Sequence, residues 1–273
     1  LQSASNFLSE HTMTAIGIDY GTSNSEVVYF DGTAHQHIKL DPLDKKGNKI
    51  RSSVFIYFED ELPPPPDAMV EAKVAQLQRV ISEQIDKAKD GYYSAKDPKE
   101  QAMYSDRIDS LRGDLHNKPA LQRKAIAQLM HAMSLDEIPL LRLVEHGKFA
   151  FGEEGFRRFL KMPDKGRLIY SPKNFLGASL DGDQKQAFIG IIAKQLAYFK
   201  QCAEQQLGKA VNNAVIGRPV KFHGTRGEEG NAQAIQIMTE AATKAGFSGV
   251  NFLDEPIAAA YKIEQTLPRD TTT

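Results

Sequence analysis

The sequence predicts an α/β fold with a mixed sheet, interrupted by an inserted hairpin or bundle of helices. Two apolar segments flank a short polar turn between residues 14 and 30, which is the pattern of a β-hairpin. Strand and helix patterns alternate from residue 167 to about residue 265. Between these regions, helical periodicity fills residues 67–136, shortly after four successive prolines. Strand–helix–strand–helix order is typical of an α/β layer whose sheet is largely covered.

The first strands are expected to form an antiparallel meander. Apolar residues predict a buried strand over residues 14–20 and a returning strand over residues 27–30. A turn at residues 32–36 precedes a third short strand at residues 37–40. Residues 51–58 predict one further strand, which ends at a cluster of acidic residues.

The turn between the first two strands has residues that suit phosphate oxygens. We expect Gly21 to take a positive φ and so let the backbone approach a ligand, while Thr22, Ser23 and Asn24 add polar groups beside successive backbone N–H groups. Asp19, at the end of the strand, is a hard oxygen donor that can hold Mg²⁺ through the waters of the ion. From these residues alone, an ordinary β-hairpin turn is the alternative.

A helical insert follows the polyproline segment at residues 63–66, which cannot lie inside a sheet. Asp67 is expected to cap the first helix. Apolar residues recur at intervals of three and four, as in three amphipathic segments: Val70, Val74, Leu77, Ile81, Ile85 and Ala88, then Tyr104, Ile108, Leu111 and Leu115, then Leu121, Ala125 and Leu129. The narrow stripes favour helices that pack on each other; a coiled-coil partner surface is the alternative.

The rest of the chain alternates between strand and helix patterns. The predicted strands lie at residues 140–144, 148–152, 214–217 and 250–253, with another at the start of a lysine-bearing segment, residues 167–179. The predicted helices lie at residues 153–160, 183–207 and 228–245, followed by an alanine-rich helix that ends near residue 265. Gly208 and Gly246 are expected to end two of these helices.

Composition narrows the classes of function. A net charge of −1 and a pI near 6.7 give no electrostatic attraction to nucleic acid or to an anionic membrane. Cys202 is the single cysteine, which excludes an internal disulfide and a cysteine-based zinc site, and it lies in a helical pattern that favours a small buried thiol. Without a long apolar run, we expect a cytoplasmic protein, with residues 1–12 forming a flexible leader.

Four motifs resemble, in the same order, those of the seventy-kilodalton heat-shock chaperones. They are Gly-Ile-Asp-Tyr-Gly-Thr-Ser-Asn-Ser at 17–25, Ser-Pro-Lys-Asn-Phe-Leu-Gly at 171–177, Ala-Val-Ile-Gly-Arg-Pro-Val-Lys-Phe at 214–222 and Asp-Glu-Pro-Ile-Ala-Ala-Ala at 254–260. The sequences of the second and third motifs most resemble those of the divergent YegD-type members of that family. The resemblance implies an actin-like ATPase fold, which is ribonuclease H-like, with ATP or ADP and Mg²⁺ as ligands.

The resemblance also implies roles for individual residues. Asp19 would hold Mg²⁺ through water, and Thr22 and Ser23 would contact the β- and γ-phosphates. Lys173 would reach the γ-phosphate and the attacking water, which is physically reasonable because phosphoryl transfer needs positive charge and positioning rather than a covalent nucleophile. Without the family, a solvated turn lysine is the simpler interpretation of Lys173.

Two further residues receive roles through the same resemblance. Glu255 would lie near the water shell of the metal and, with Pro219, would transmit the state of the nucleotide to the rest of the chaperone. From the residues alone, Pro219 ends a strand and Glu255-Pro256 opens a helix, since proline suits the first helical turn. Both interpretations can hold together.

In the domain organisation that the resemblance implies, a core subdomain comprises residues 13–50 and 182–273. Residues 51–181 would form an upper subdomain that includes the helical insert at residues 67–136. The chain would supply one lobe, about half of the ATPase unit of the family, and would bind ATP weakly or not detectably without the second lobe. The implied partners are that lobe, protein clients and co-chaperones.

The expected function is that of the N-terminal lobe of a chaperone ATPase whose intact form hydrolyses Mg-ATP slowly to regulate protein binding. One alternative is a small-molecule kinase of the same superfamily, acting on a sugar or a carboxylate. Another is a non-hydrolysing interaction scaffold, in which the helical insert binds a partner.

Overall fold

The chain divides into two compact units. The computed structural model describes residues 14–43, 47–59, 63–132, 135–222 and 226–266, with side chains described to residue 260 except that of residue 136. One unit contains residues 1–59 and 140–273, and the other contains residues 60–139. The leader expected at residues 1–12 lies outside the described residues, and the subdomain boundaries expected from the sequence stay predictions.

Strands and helices of both units are numbered in chain order. The strands are β1 (Ala15–Asp19), β2 (Asn24–Phe30), β3 (His35–His37), β4 (Lys49–Arg51), β5 (Ser53–Tyr57), β6 (Lys148–Phe151), β7 (Gly166–Tyr170), β8 (Asn213–Arg218) and β9 (Gly249–Asp254). The helices are α1 (Asp67–Ser94), α2 (Pro98–His116), α3 (Lys118–Ala132), α4 (Leu140–His146), α5 (Gly152–Lys161), α6 (Gly182–Leu207), α7 (Gly227–Lys244) and α8 (Glu255–Thr266). No helix in these described ranges has both the length and the apolar composition that crossing a membrane requires.

The larger sheet of the first unit is mixed, which confirms the predicted α/β class with a mixed sheet. Its strand order is β3-β2-β1-β8-β9, and β4 also pairs with β2. The meander β1-β2-β3 is antiparallel, whereas β8 pairs in parallel with both β1 and β9. In the register between β1 and β8, Ile16 lies opposite Ala214 and Ile18 opposite Ile216. These four side chains are buried, so they mark the face of the sheet that belongs to the core.

Helices α6 and α7 supply the helical side of that core, close to the predicted bounds. Helix α6 begins with a capping box in which the Asp181 carboxylate accepts the Gln184 N–H and the Gln184 side chain accepts the Asp181 N–H. It ends at Gly208, whose φ of 66° is left-handed, as the C-terminal glycine signal predicts. The buried side chains of the two helices repeat every three to four residues, as in Leu196 and Phe199 of α6.

A smaller sheet of the first unit has the order β6-β5-β7. The strand predicted over residues 51–58 is confirmed as β5 over residues 53–57, except that Arg51 ends β4 in the other sheet and the chain turns between the two strands at Ser52. The Ser52 N–H donates to the Ser23 carbonyl at 2.9 Å, and its buried hydroxyl lies 3.0 Å from that of Ser25. All five residues of β5 are buried, and α5 packs on this strand through Phe159.

Two strand predictions were wrong. Residues 140–144 lie in helix α4. The prediction failed because a short apolar run has the same composition in a buried strand and in a buried helix. The Val144 side chain occupies the space that a Cβ would need at Gly190 of α6, so the glycine allows the two helices to approach closely. The strand expected at residues 37–40 is β3, which ends at His37; Leu40 instead donates its N–H to the Gly47 carbonyl.

The second unit is a set of helices that pack on each other, as the narrow apolar stripes predicted. The N-terminal half of α1 packs against α3 and its C-terminal half packs against α2. The first of these contacts buries Val70, Val74, Leu121 and Ala125, and the second buries Ile85, Ala88 and Ile108. The expectation that Asp67 caps α1 was wrong: it is the first helical residue, and Pro66 at the cap position makes no side-chain hydrogen bond.

Candidate functional site

The turn after β1 is held by a buried side chain and presents polar residues to solvent. Tyr20 is fully buried, and its hydroxyl donates to the side-chain oxygen of Gln195 in α6. This burial raises the pKa of Tyr20 far above its ordinary value, so the phenol stays protonated and remains a donor. On either side of this anchor, Asp19, Thr22 and Ser23 are exposed. The contact with α6 therefore anchors the turn, while its polar residues stay accessible.

Gly21 is needed in this turn for a different reason from the one expected. Its φ is not positive, so the prediction of a left-handed glycine was wrong. A Cβ at this position would instead lie 2.1 Å from the backbone oxygen of Asn24, a distance that no side chain can accept. Asn24 itself is the first residue of β2 and not part of the turn. The glycine therefore lets the turn close tightly onto the start of the returning strand.

The predicted catalytic lysine lies in a short 3₁₀ helix, Pro172–Phe175, that is separated from β7 only by Ser171. The side chain of Lys173 is only 6 % exposed, and its ammonium lies 2.6 Å from Oε1 of Glu255, whose side chain is 45 % exposed. The simpler interpretation of Lys173 as a solvated turn lysine is therefore wrong. A nearly buried ammonium that keeps its charge needs a partner of opposite charge, and Glu255 supplies it.

The parallel strands explain why Glu255 and Pro219 come close to the turn after β1. Strands β1, β8 and β9 run in the same direction, so their carboxyl ends lie at one edge of the sheet. Asp19 ends β1, Pro219 follows β8, and Glu255 follows β9 as the first residue of α8. Ligands of open α/β sheets bind outside the carboxyl ends of such strands.

All of the predicted site residues line one cavity of about 840 Å³ in the first unit. They are Asp19, Gly21, Thr22, Ser23, Asn24, Lys173, Pro219 and Glu255. Residues from four separate parts of the chain thus meet at a single site. Their individual roles stay predictions.

The cavity also contains residues that the sequence analysis missed. Glu26, Lys49, Asn174 and Phe222 all line it. Glu26 has a detectable signal, because it lies two residues after Asn24 in a strand and therefore on the same side of that strand. Lys49 has no such signal, since it comes from β4 and reaches the site only because it pairs with Glu26 across the sheet.

The charges around the cavity are coupled. Although Asp19 is exposed as a residue, the walls of the cavity partly desolvate its carboxylate, and this raises the pKa of Asp19; the positive charge of Lys173 opposes this shift, and the negative charges of Glu255 and Glu26 add to it. Lys49 lies 2.7 Å from Glu26, and the hydrogen bond between them raises the pKa of Lys49. Asp19 thus lies among two cations and two other carboxylates, and a bound anion or cation would change its ionisation.

The donor set of the cavity fits a hydrated magnesium ion held together with phosphates. No group of three or more histidine, cysteine, aspartate or glutamate side chains in the part of the chain described could hold a metal ion directly. Asp19 and Glu255 are nevertheless hard oxygen donors that line the same space as the hydroxyls of the turn. Magnesium is usually held by one or two carboxylates, substrate phosphates and its own waters.

Comparison with known proteins agrees with the motif resemblance in a short segment. No protein-family model matches the chain. Over 70 residues, or 26 % of the chain, it is 40 % identical to a protein described as "Heat shock cognate HSP70 protein" from Trypanosoma brucei brucei. The matched segment spans 9 % of the length of that relative. We conclude that the chain contains a segment similar to part of a heat shock cognate HSP70 protein.

Proposed function

We propose that the chain is the N-terminal lobe of the nucleotide-binding domain of a heat-shock-70-type chaperone. The intact protein would bind Mg-ATP, hydrolyse it slowly and use the cycle to regulate protein binding. The observation that carries this proposal is the convergence of the turn after β1, Lys173 and Glu255 on one cavity. The segment similar to a heat shock cognate HSP70 protein supports it independently.

The turn after β1 is proposed to hold the phosphates. Thr22 and Ser23 present hydroxyls beside the backbone of a turn that Gly21 keeps tight. Hydroxyl and backbone N–H donors together suit the several oxygens of a phosphate group. The turn by itself cannot discriminate ATP from other phosphate esters, and we expect the adenosine to be bound by a second lobe.

Lys173 is proposed to stabilise charge on the transferring phosphoryl group. Its ammonium is held near the cavity by Glu255 and lies almost out of solvent, where a charge interacts more strongly than it would in water. A γ-phosphate would compete with Glu255 for this ammonium. The attacking water would then lie between Lys173 and the carboxylates, which can accept its hydrogen bonds and orient it.

Asp19 and Glu255 are the residues proposed to hold Mg²⁺, through the waters of the ion. When bound, the ion would neutralise negative charge on the phosphates. Glu255 begins α8 and Pro219 directly follows β8, so both residues lie at the ends of elements and line the same cavity. This placement supports the proposal that the two residues transmit the state of the nucleotide.

The proposal is tested by titrating Mg-ATP calorimetrically into the full-length protein and into the 273-residue chain. We expect the full-length protein to bind, and Asp19→Ala to weaken its binding at least about tenfold, the scale of losing one charged partner. The chain alone should give little or no heat. Asp106→Ala, on the exposed face of α2, is the matched control and should bind as the unmodified protein does.

Each alternative predicts a different outcome. A full-length protein that gives no heat with Mg-ATP, or whose Asp19→Ala variant binds equally well, would contradict the proposed site. Transfer of labelled phosphate from ATP to a sugar or a carboxylate would identify a kinase. A partner affinity that is the same with and without Mg-ATP would favour a scaffold.

A further inference from the structure

Ser171 has an unusual backbone conformation beside the proposed site. Its φ of 48° and ψ of 58° are left-handed, and it is the one non-glycine residue with positive φ among residues 14–43, 47–59, 63–132, 135–222 and 226–266. Left-handed backbone is unfavourable for residues with a Cβ and persists only where surrounding contacts impose it. Such strain occurs often at ligand-binding and catalytic sites.

Three hydrogen bonds hold Ser171 in this conformation. Its N–H donates to the Ser52 carbonyl at 2.8 Å, and its carbonyl accepts the Asn174 N–H at 2.9 Å. Its hydroxyl donates to the Thr22 carbonyl at 2.5 Å. Pro172, which follows, is buried and has a fixed φ, so the chain has little freedom to relax on that side.

These bonds connect two segments that are far apart in the sequence. Thr22 lies in the turn after β1, whereas Ser171 precedes Lys173 by two residues. Ser52 completes the connection, since its N–H donates to the Ser23 carbonyl while its carbonyl accepts the Ser171 N–H. The turn and the lysine-bearing segment are therefore joined directly through the Ser171 hydroxyl and indirectly through the Ser52 backbone.

We propose that Ser171 is a positioning residue, whose hydroxyl sets the position of the turn after β1 relative to Lys173. The proposal rests on the proposed function, because the distance between the turn and Lys173 matters only if one phosphoryl group must contact both. A diphosphate that binds only the turn does not need this distance, whereas the γ-phosphate in the transition state does. Misplacement of catalytic groups by a fraction of an ångström to an ångström is sufficient to slow a reaction severely.

The choice of serine supports a role for the hydroxyl rather than for the backbone alone. Glycine would adopt the same φ and ψ without strain, but it has no hydroxyl to donate to Thr22. Ser171→Gly therefore removes the tether and relieves the strain together. Ser171→Ala removes the tether and keeps the strain, so the two variants separate the two effects.

The test measures ATP turnover, Mg-ADP affinity and stability of the full-length protein and its variants. We expect Ser171→Gly and Ser171→Ala each to lower kcat about tenfold, with the dissociation constant of Mg-ADP changed less than about twofold. Ser171→Gly should be at least as stable as the unmodified protein in urea. Ser94→Ala is the matched control, because Ser94 also donates its hydroxyl to a backbone carbonyl, that of Asp90 at 2.8 Å.

Amide hydrogen exchange gives a readout that needs no nucleotide. The N–H groups of Ser52 and Asn174 report on the two joined segments, and both should exchange several-fold faster in Ser171→Ala and in Ser171→Gly. Unchanged exchange at both amides, or unchanged kcat in Ser171→Gly, would overturn the inference. If the unmodified protein neither binds nor hydrolyses ATP, the proposed function fails and the positioning role in catalysis fails with it; the exchange data then decide only whether the tether exists.

Discussion

The ammonium of Lys173 and the carboxylate of Glu255 form an asymmetric ion pair. The two groups lie 2.6 Å apart, but the Lys173 side chain is 6 % exposed and that of Glu255 is 45 % exposed. Water can therefore solvate the carboxylate and reaches the ammonium poorly. The pair holds a cation in place that would otherwise be costly to bury, next to Asp19 and the turn after β1.

This asymmetry predicts that the two partners contribute differently to stability. Glu255→Ala leaves a nearly buried ammonium without its partner and should lower the free energy of unfolding by about 1–2 kcal/mol. Lys173→Met leaves a carboxylate that water can solvate and keeps most of the apolar stem, so it should cost less than about 1 kcal/mol. Equilibrium unfolding in urea, followed by circular dichroism, measures both values.

Glu240→Ala is the control for that experiment, because Glu240 is partly exposed on α7 in the same unit and its hydrogen bond, from Gln236, lies within that helix. Its effect should stay within about 0.5 kcal/mol. An equal or larger loss of stability in Lys173→Met than in Glu255→Ala would show that burial of the ammonium does not govern the pair.

The proposed function makes a kinetic prediction for the same lysine and for the turn. Lys173→Ala or Thr22→Ala in the full-length protein should lower the rate of ATP hydrolysis by roughly 10²-fold or more, the scale of losing one well-placed donor. Single-turnover kinetics measure this rate apart from product release. Lys124→Ala, an exposed lysine of α3, is the control. Unchanged turnover in both site variants would contradict the roles proposed for Lys173 and Thr22.

The tight turn predicts that Gly21 cannot be replaced even by alanine. A Cβ 2.1 Å from the Asn24 backbone oxygen forces the backbone to move, so Gly21→Ala should destabilise the unit by about 1–3 kcal/mol. At Gly182, the first residue of α6, a Cβ meets nothing within 4 Å. Gly182→Ala should therefore be neutral or stabilise by about 0.4–1 kcal/mol through the unfolded state. Equal urea midpoints for the two variants would contradict the steric argument.

The raised pKa of Asp19 predicts how stability depends on pH. Partial desolvation of the carboxylate raises this pKa in the folded state, so between its unfolded and folded values the folded state binds more protons and stability falls as pH rises. Asp19→Asn should therefore be more stable than the unmodified protein at pH 7. The difference should shrink as pH is lowered through the folded pKa of Asp19 and vanish below its ordinary value of 3.8.

Asp31 provides a control of opposite sign for that measurement. Its carboxylate accepts the N–H groups of Thr33 and Ala34 and the Thr33 hydroxyl, and these bonds lower its pKa to about 2, the bond from Ala34 most. Its stabilising contribution is complete above pH 3.8 and is lost as pH falls through about 2. Asp31→Asn should therefore destabilise at pH 7, and the same pH trend in both variants would contradict the assignment of the two shifts.

Elements with long or regular patterns could be predicted closely from the sequence. Helix α6 has an apolar stripe, a capping residue and a terminal glycine, and these local signals agree. The apolar run at residues 140–144 is too short to distinguish a strand from a buried helix by its pattern. In the structure this segment is a helix that packs against α6. The break at Ser52 has no local signal, because hydrogen bonds to another strand impose it.

The candidate site was likewise predictable only in part. The family resemblance singled out Asp19, Thr22, Lys173 and Glu255, which line one cavity in the structure, while their roles stay predictions. Lys49 was missed because it reaches the cavity through its pairing with Glu26, which depends on strand register. The reason for Gly21 was also misjudged, since the relevant contact is a steric one with Asn24 and not a dihedral preference.

Periodicity in the chain accounts for most strands and helices, and the residue types account for turns that carry hydroxyls, carboxylates and a lysine. The meeting of these turns depends on tertiary contacts. Parallel pairing of β1, β8 and β9 brings three strand ends to one edge, and burial of Lys173 against Glu255 gives the cavity a fixed cation. Both are contacts between residues distant in the chain. Their free energy depends on which surfaces are buried against each other, and a local sequence pattern does not specify that.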